Sequence, residues 1–343
     1  MNTLILNKSD KLEIAARILE NGGLVVSPTE TVYGLCANAL NEKAVESIFW
    51  AKGRPSDNPL IVHIASLDML RDLVLEIPDD ANKLINTFWP GPLTLIFKAK
   101  KDIIPNKTRA NLDTVAIRFP ANPIMLELIK ISGLPLAAPS ANTSGKPSPT
   151  NINRVIEDLS GKVDCIIDGG NSKIGIESTI IDVSDKRIKL LRPGFITLKM
   201  LEDTLKKTVY APKNHFPIAP GMKYKHYAPN ANLIIVDADS TQKVINRMHE
   251  LIKEDMLENR KIGVLVVDEM LDFFENIPSL SLGSLQLLED IASNLFEKLR
   301  QLDDLKLEKV YTIYLHDIGL AESIMNRLLK ACNNQIIRLE DKK

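Results

Sequence analysis

The chain has 343 residues, 45% apolar and 25% charged, with a formal net charge of −1; it is long enough for two domains and has an ordinary globular composition. The near-neutral charge argues against indiscriminate nucleic-acid binding by the whole surface, which needs many phosphate-neutralising cations, while a local basic groove stays open. No apolar run reaches the ~18 residues of a membrane span, and the isolated cysteines Cys36, Cys165 and Cys332 form neither a CxxC pair nor a disulfide framework, which favours a reducing cytoplasm and argues against a structural zinc site.

The opening MNTLILNKSDKLEIAARILENGG predicts a short strand and an amphipathic helix rather than a signal peptide. Leu12, Ala15 and Leu19 share one helix face, Ser9 or Asp10 can cap its start, and Gly22 or Gly23 can end it. GLVVSP predicts a strand. A helix over 44–52 leads into the loop KGRPSDNP (52–59), and PLIVHI predicts the strand after it. LTLIF, TVAIRF, VDCIID, STIIDV and RIKLL predict further strands, and several follow one another without a helix between them. The sheet is therefore expected to be mixed rather than purely parallel.

Residues 208–230 are proline-rich, aperiodic and too long for an ordinary connection, which suits a linker or a lid. Beyond them come a strand in NLIIVD, a helix over 240–258, a strand in KIGVLVV, a helix over 284–301, a strand in KVYTIYL, a helix over 320–331 and a strand in QIIRL. That β-α-β-α-β-α-β order predicts a three-layer Rossmann-like domain. It has no G-x-G-x-x-G turn after its first strand, so it gives little support to dinucleotide binding. The expected division is 1–207, a connecting segment over 208–230, and 231–343.

Four clusters before residue 193 could carry chemistry: SPTETVYGL (27–35), the 52–59 loop with His63 close behind it, DTVAIRFP (113–120) and LPLAAPSANTSGKPSPT (134–150). Each has a structural reading. TVYGL can be a turn with a packed tyrosine, Lys52 and Arg54 a solvated helix end, Arg118 the wet face of an edge strand, and the Pro/Ser/Thr run a surface loop. Together they suit a nucleoside triphosphate. Lys52, Arg54 and Arg192 can supply fixed cations, while backbone N–H groups and small hydroxyls such as Ser140 and Ser148 reach phosphate oxygens. The chain has no Walker loop, GxSxG elbow, HExxH or kinase signature. Read on their own, the residues describe an anion-binding cleft on a mixed sheet.

Lys52-x-Arg54 paired with Ser140-x-Asn142 resembles the signature of the YrdC/Sua5 family. PTETVYGL, KGRP…NPL, TVAIRFP, APSAN-x-SG-x-PSPT and ESTIID…LRPG follow in the family's order, and PGMKYKHYAP before the Rossmann-like part resembles the longer, two-domain Sua5 type. The resemblance spans essentially the whole chain and implies a twisted open α/β sheet with a concave cationic face, followed by a C-terminal Rossmann-like domain. It implies threonylcarbamoyl-AMP synthase activity, in which L-threonine, bicarbonate and ATP, with Mg²⁺ carried by the ATP, give threonylcarbamoyl-AMP, pyrophosphate and water. The product feeds N6-threonylcarbamoyladenosine formation at position 37 of tRNAs that read codons beginning with A, through a downstream tRNA threonylcarbamoyl transferase machinery; direct RNA contact stays open, and no membrane is involved.

By that resemblance Lys52, Arg54, Ser140 and Asn142 are the catalytic set. Thr31, His63, Arg118, Ala138 and Ser178 are the threonine pocket, with Arg118 on the carboxylate. Arg54, Asn58, Thr114, Ser140, Ser148, Arg192 and Tyr227 are the ATP contacts, Tyr227 closing over the nucleotide. Relatives often carry threonine where this chain has Ala138, so only a backbone contact is expected there. The chemistry needs positioning and charge stabilisation rather than a side-chain nucleophile. A labile carbamate gives a water-excluding lid a purpose. Two other classes compete: an RNA-binding or ribosome-maturation module, and a carbamoyl-transfer domain using another donor.

Overall fold

The computed structural model describes residues 2–7, 10–211, 227–316 and 318–339, and these divide into two compact units. Residues 2–144 with 148–211 form the first; residues 145–147 with 227–339 form the second. Most of the expected lid (212–226) and the candidate cap Ser9 lie outside the described residues.

The first unit runs β1 (Leu4–Asn7), α1 (Glu13–Glu20), β2 (Val25–Ser27), β3 (Gly34–Asn38), α2 (Glu42–Lys52), β4 (Ile61–His63), α3 (Leu67–Leu73), α4 (Asp79–Phe88), β5 (Leu93–Lys98), α5 (Asn106–Arg109), β6 (Thr114–Arg118), α6 (Pro123–Ser132), β7 (Leu136–Ala137), α7 (Ile152–Leu159), β8 (Cys165–Asp168), β9 (Thr179–Asp182), β10 (Lys189–Arg192) and α8 (Leu198–Leu205). Its strands form one sheet in the order β1-β8-β2-β3-β7-β4-β6-β5-β9-β10. The sheet is mixed, as expected: β4 pairs parallel to β6 and β5 parallel to β9, whereas β5–β6, β4–β7 and β9–β10 are antiparallel.

Period-two alternation assigns side chains to faces. Val26, Leu35 and Ile166 enter the larger core, whereas their neighbours Val25, Cys36 and Cys165 join Ala15, Leu19, Met125 and Leu128 on the other side. The first helix thus buries Ala15 and Leu19 as its spacing predicts. Its start differs: the N-cap is Leu12 with no side-chain bond, and Asp10 Oδ2 accepts from the Asn7 N–H at 2.6 Å instead. TVYGL is more than a turn. Its Gly34 opens β3, which is buried on both faces and so lacks the alternation that marks a half-exposed strand.

Helix α2 begins where the Asn41 side chain accepts from the N–H groups of Lys43 and Ala44, and it ends at Gly53, whose φ of 60° is the left-handed cap that favours glycine. That cap places Lys52 at the last helical position and turns the chain into the 53–59 loop.

The second unit runs β11 (Asn232–Asp237), α9 (Thr241–Leu257), β12 (Ile262–Val266), a 3₁₀ helix (Asp268–Phe274), β13 (Ser279–Ser281), α10 (Leu288–Asp304), β14 (Lys309–Ile313), α11 (Leu320–Ala331) and β15 (Ile336–Arg338). All its strand pairs are parallel, in the order β13-β12-β14-β11-β15. The Rossmann-like expectation is met with one strand more than predicted. Ser279–Ser281 is a three-residue edge strand, half-buried and without an apolar run, so its sequence carries no strand signal. The helix expected from 284 starts at Leu288, because Ser284 Oγ and the Leu285 N–H donate to the Glu269 carboxylate and hold the preceding residues in a turn.

Residues 145–147 group with this unit: Ala228 donates its N–H to the Gly145 carbonyl at 3.1 Å, and Arg300 donates Nε and Nη2 to the Pro147 carbonyl at 3.1 and 2.7 Å. No helix among the described residues is long and apolar enough to cross a membrane.

Candidate active site

Ile61, Ile96, Ala116, Ile180 and Leu191 form a small apolar cluster apart from both main cores. Two residues along β4, β5 and β6, hence on the same sheet face, stand His63, Thr94 and Arg118. The ladder pairs His63 with Arg118, Arg118 with Thr94, and Thr94 with Ile180, so they form a row across adjacent strands. Ser178, two residues before Ile180, joins that row through a 2.7 Å hydrogen bond between its Oγ and Thr94 Oγ1.

Arg118 is buried, and three of its nitrogens have fixed partners. Nη1 donates to Thr31 Oγ1 at 2.8 Å, Nε to the Gly91 carbonyl at 3.4 Å, and Nη2 lies 2.6 Å from Glu30 Oε1. A guanidinium carries five N–H donors, so this grip still leaves some for an incoming carboxylate. Burial, reinforced by the Arg118 charge, pushes the His63 imidazole down to about 3, so the ring is neutral at physiological pH. Thr31, His63, Arg118 and Ser178 are thus brought together. Ala138 is buried beside them, but its N–H donates to the Ile61 carbonyl at 3.0 Å, so that donor is already engaged within the sheet.

A second group gathers where the 53–59 loop enters β4. Lys52 was expected to face solvent or ligand; it is 2% exposed, and its ammonium donates to the carbonyls of Ser140 and, at 2.6 Å, of Asn142. The reason is its place at the end of α2, which aims the side chain under the 140–142 turn. The two halves of the K-x-R/S-x-N signature are therefore physically tied. Ser140 Oγ donates to Asn142 Oδ1 at 2.6 Å, and Arg54 Nη2 reaches the Pro59 carbonyl at 3.4 Å. Asn58 is buried, and its Nδ2 has no hydrogen-bond partner among the described residues. Thr114 is at the opposite end of β6 from Arg118, roughly 13 Å along the strand and near the residues that feed β4.

Arg192 spans the groups assigned to nucleotide and amino acid: Nε donates to the Ser178 carbonyl at 3.0 Å and Nη2 to Ser178 Oγ at 3.1 Å. Ser148 Oγ donates to Glu177 Oε1 at 2.7 Å. The glycine of LRPG makes this packing feasible. A Cβ on Gly194 would fall 2.5 Å from the Thr179 nitrogen and 2.8 Å from the Glu177 carbonyl oxygen. Tyr227 belongs to the second unit, where φ is 64° and its ring packs on Phe296 at a centroid distance of 4.9 Å.

Sequence reasoning missed Thr94, Glu30 and Glu177. Thr94 has no signal beyond its place in an apolar strand, because strand register cannot be read from one chain. Glu30 and Glu177 did carry one: each is a carboxylate inside a cluster of small hydroxyl residues. Among the described residues no group of three or more His, Cys, Asp or Glu could hold a metal ion. Chemically, the arrangement offers fixed cations, small hydroxyls and a neutral imidazole, but no nucleophile–base pair.

The Sua5/YciO/YrdC family model, described as "Telomere recombination", matches residues 17–194, and the model for the C-terminal domain of threonylcarbamoyl-AMP synthase matches 196–333. Threonylcarbamoyl-AMP synthase of Pyrococcus abyssi is 45% identical over 98% of this chain and its own full length. The Bacillus subtilis enzyme is also 45% identical, over 94% of this chain and 93% of its own. The crystal structure of P. abyssi Sua5 complexed with L-threonine superposes with a TM-score of 0.90 at 42% identity, covering 99% of this chain and all of the other.

Proposed function

The chain belongs to the Sua5 family of threonylcarbamoyl-AMP synthases, and from that premise we propose how its own residues perform the adenylyl transfer. The buried row Thr31, His63, Arg118 and Ser178 takes L-threonine, as P. abyssi Sua5 does in its complex. Arg118 receives the carboxylate through a charge-assisted pair. Neutral His63 offers a hydrogen bond without adding a second positive charge beside the amine that must react.

The threonine amine attacks bicarbonate or its dehydrated equivalent, giving the N-carboxy amino acid with loss of water. A carbamate oxygen then attacks the α-phosphorus of ATP, and pyrophosphate leaves. Arg54, Asn58, Ser140, Ser148 and Arg192 hold the triphosphate, with Thr114 at the far end of β6. Lys52 acts by locking the 140–142 turn in place, which is a positioning role. Catalysis is then orientation and charge stabilisation. Mg²⁺ would come with the triphosphate, held through its phosphate oxygens and retained water, and would offset its charge.

The product is passed to a tRNA threonylcarbamoyl transferase, for the N6-threonylcarbamoyl group at adenosine 37. A reducing cytoplasm suits the three buried free cysteines. The observation that carries the reading is the row His63–Arg118–Thr94–Ser178 beside the Lys52-bound turn. Its test is pyrophosphate release from ATP with threonine or bicarbonate omitted in turn. Release should require both; equal ATP turnover without threonine would overturn the assignment.

A further inference from the structure

In the second unit, β11 and β14 are neighbours, but their outgoing connections run in opposite directions. β11 leads through α9 to β12, two places to one side, and β14 leads through α11 to β15, two places to the other. Right-handed crossovers send these connections to opposite faces of the sheet, and α10, which also returns in the second direction, packs against α11. Adjacent strand ends whose loops part to opposite faces leave a crevice at their carboxyl ends, the place where open parallel sheets take ligands.

A cavity of about 370 Å³ lies there, lined from both strand ends: Asp239 and Ser240 follow β11, Tyr314 and His316 follow β14, and Val244 and Met270 contribute to its apolar side. Topology and cavity thus coincide independently, within the size range of small-molecule sites.

Its chemistry selects the ligand. The first turn after β11 reads Ala238-Asp239-Ser240-Thr241, without the glycines that let a phosphate approach the backbone. Ser240 Oγ already accepts from the Lys243 N–H, and Asp239 lines the cavity while Lys243, its ion-pair partner at 2.8 Å, does not. His316 Nε2 lies 2.8 Å from Asp237 Oδ1, and Arg338 Nε lies 3.4 Å from Oδ2 of the same carboxylate. Asp239, the carboxylate in the lining, disfavours an anion and offers an acceptor to hydroxyl groups. The Tyr314 and His316 rings, 4.9 Å apart and inclined by 48°, provide an aromatic flank.

We infer that this crevice is a second binding site, for an uncharged, ring-bearing polyhydroxyl compound of nucleoside size, separate from the nucleotide chemistry of the first unit. The probe is adenosine, titrated into the full chain labelled with ¹³C at its methionine methyl groups. Met270 reports locally, so occupancy of the catalytic nucleotide site does not confuse the reading. The Met270 signal should shift saturably, AMP should bind there roughly tenfold more weakly because of the Asp239 carboxylate, and Leu285→Trp at the cavity wall should abolish the shift while pyrophosphate release continues. An unmoved Met270 signal at adenosine saturation, AMP binding there as tightly as adenosine, or a shift that survives Leu285→Trp would each overturn the site as described.

Discussion

Arg118 and Glu30 face each other from β6 and the turn before β3, with side-chain exposures of 5% and 11%. A buried pair of this kind is costly to break from one side, because the remaining charge keeps its desolvation penalty. Arg118→Ala should therefore lose threonine binding and also about 3 kcal/mol of stability, and Glu30→Gln added to it should restore part of that loss. Urea unfolding of the single and double variants checks this; equal midpoints would show that the pair is not coupled. His63 gives a pH signature. Its imidazole titrates at about 3 when folded against 6.5 in the free side chain, so between those values the unfolded chain binds a proton that the folded one does not. Stability then falls as pH drops through that window, by about 1.4 kcal/mol per pH unit at most from this group. His63→Gln should flatten the decline in urea midpoint between pH 6 and pH 4 relative to the parent chain, and an unchanged slope would contradict the buried neutral ring.

At the scale of elements, the site depends on a few backbone approaches as much as on side chains. Gly194 lets the β10 end lie against the start of β9, which aligns Arg192 with Ser178. Gly194→Ala forces backbone atoms apart rather than a flexible side-chain tip, so a loss of about 1–3 kcal/mol is expected, together with reduced turnover. Thermal unfolding with a pyrophosphate assay tests both, and an unperturbed variant would mean the strand ends adjust freely. The α2 boundary has the same character. Asn41 and Gly53 bracket the helix by their capping chemistry and set Lys52 at its last position, where the 140–142 turn supplies its partners.

At the scale of the whole molecule, the chain is two units, and one short segment inside the first unit's sequence groups with the second. Gly145–Pro147 lies between Asn142 and Ser148 in sequence yet groups with the second unit, where Arg300 holds the Pro147 carbonyl. Arg300→Ala should free that segment and raise KM for ATP several-fold while KM for threonine stays put, and Arg300→Lys should recover part of the effect. Equal changes in both constants would point to general destabilisation instead.

What the amino-acid order determined alone was considerable. The mixed α/β character, the Rossmann-like second half and the clustered motifs follow from local patterns: apolar periodicity, capping residues and runs of small polar groups, each set by neighbours a few positions away; the family follows from the resemblance of those motifs in their order. Tertiary structure decided the rest. Thr94 joins Arg118 only because β5 and β6 pair in that register, Lys52 turns inward only because α2 ends where the 140–142 turn passes, and β13 exists only as an edge against β12. The physical reason is common to all three. Register, burial and edge pairing are properties of contacts between residues far apart in the chain, and no local signal encodes which distant partner will be met.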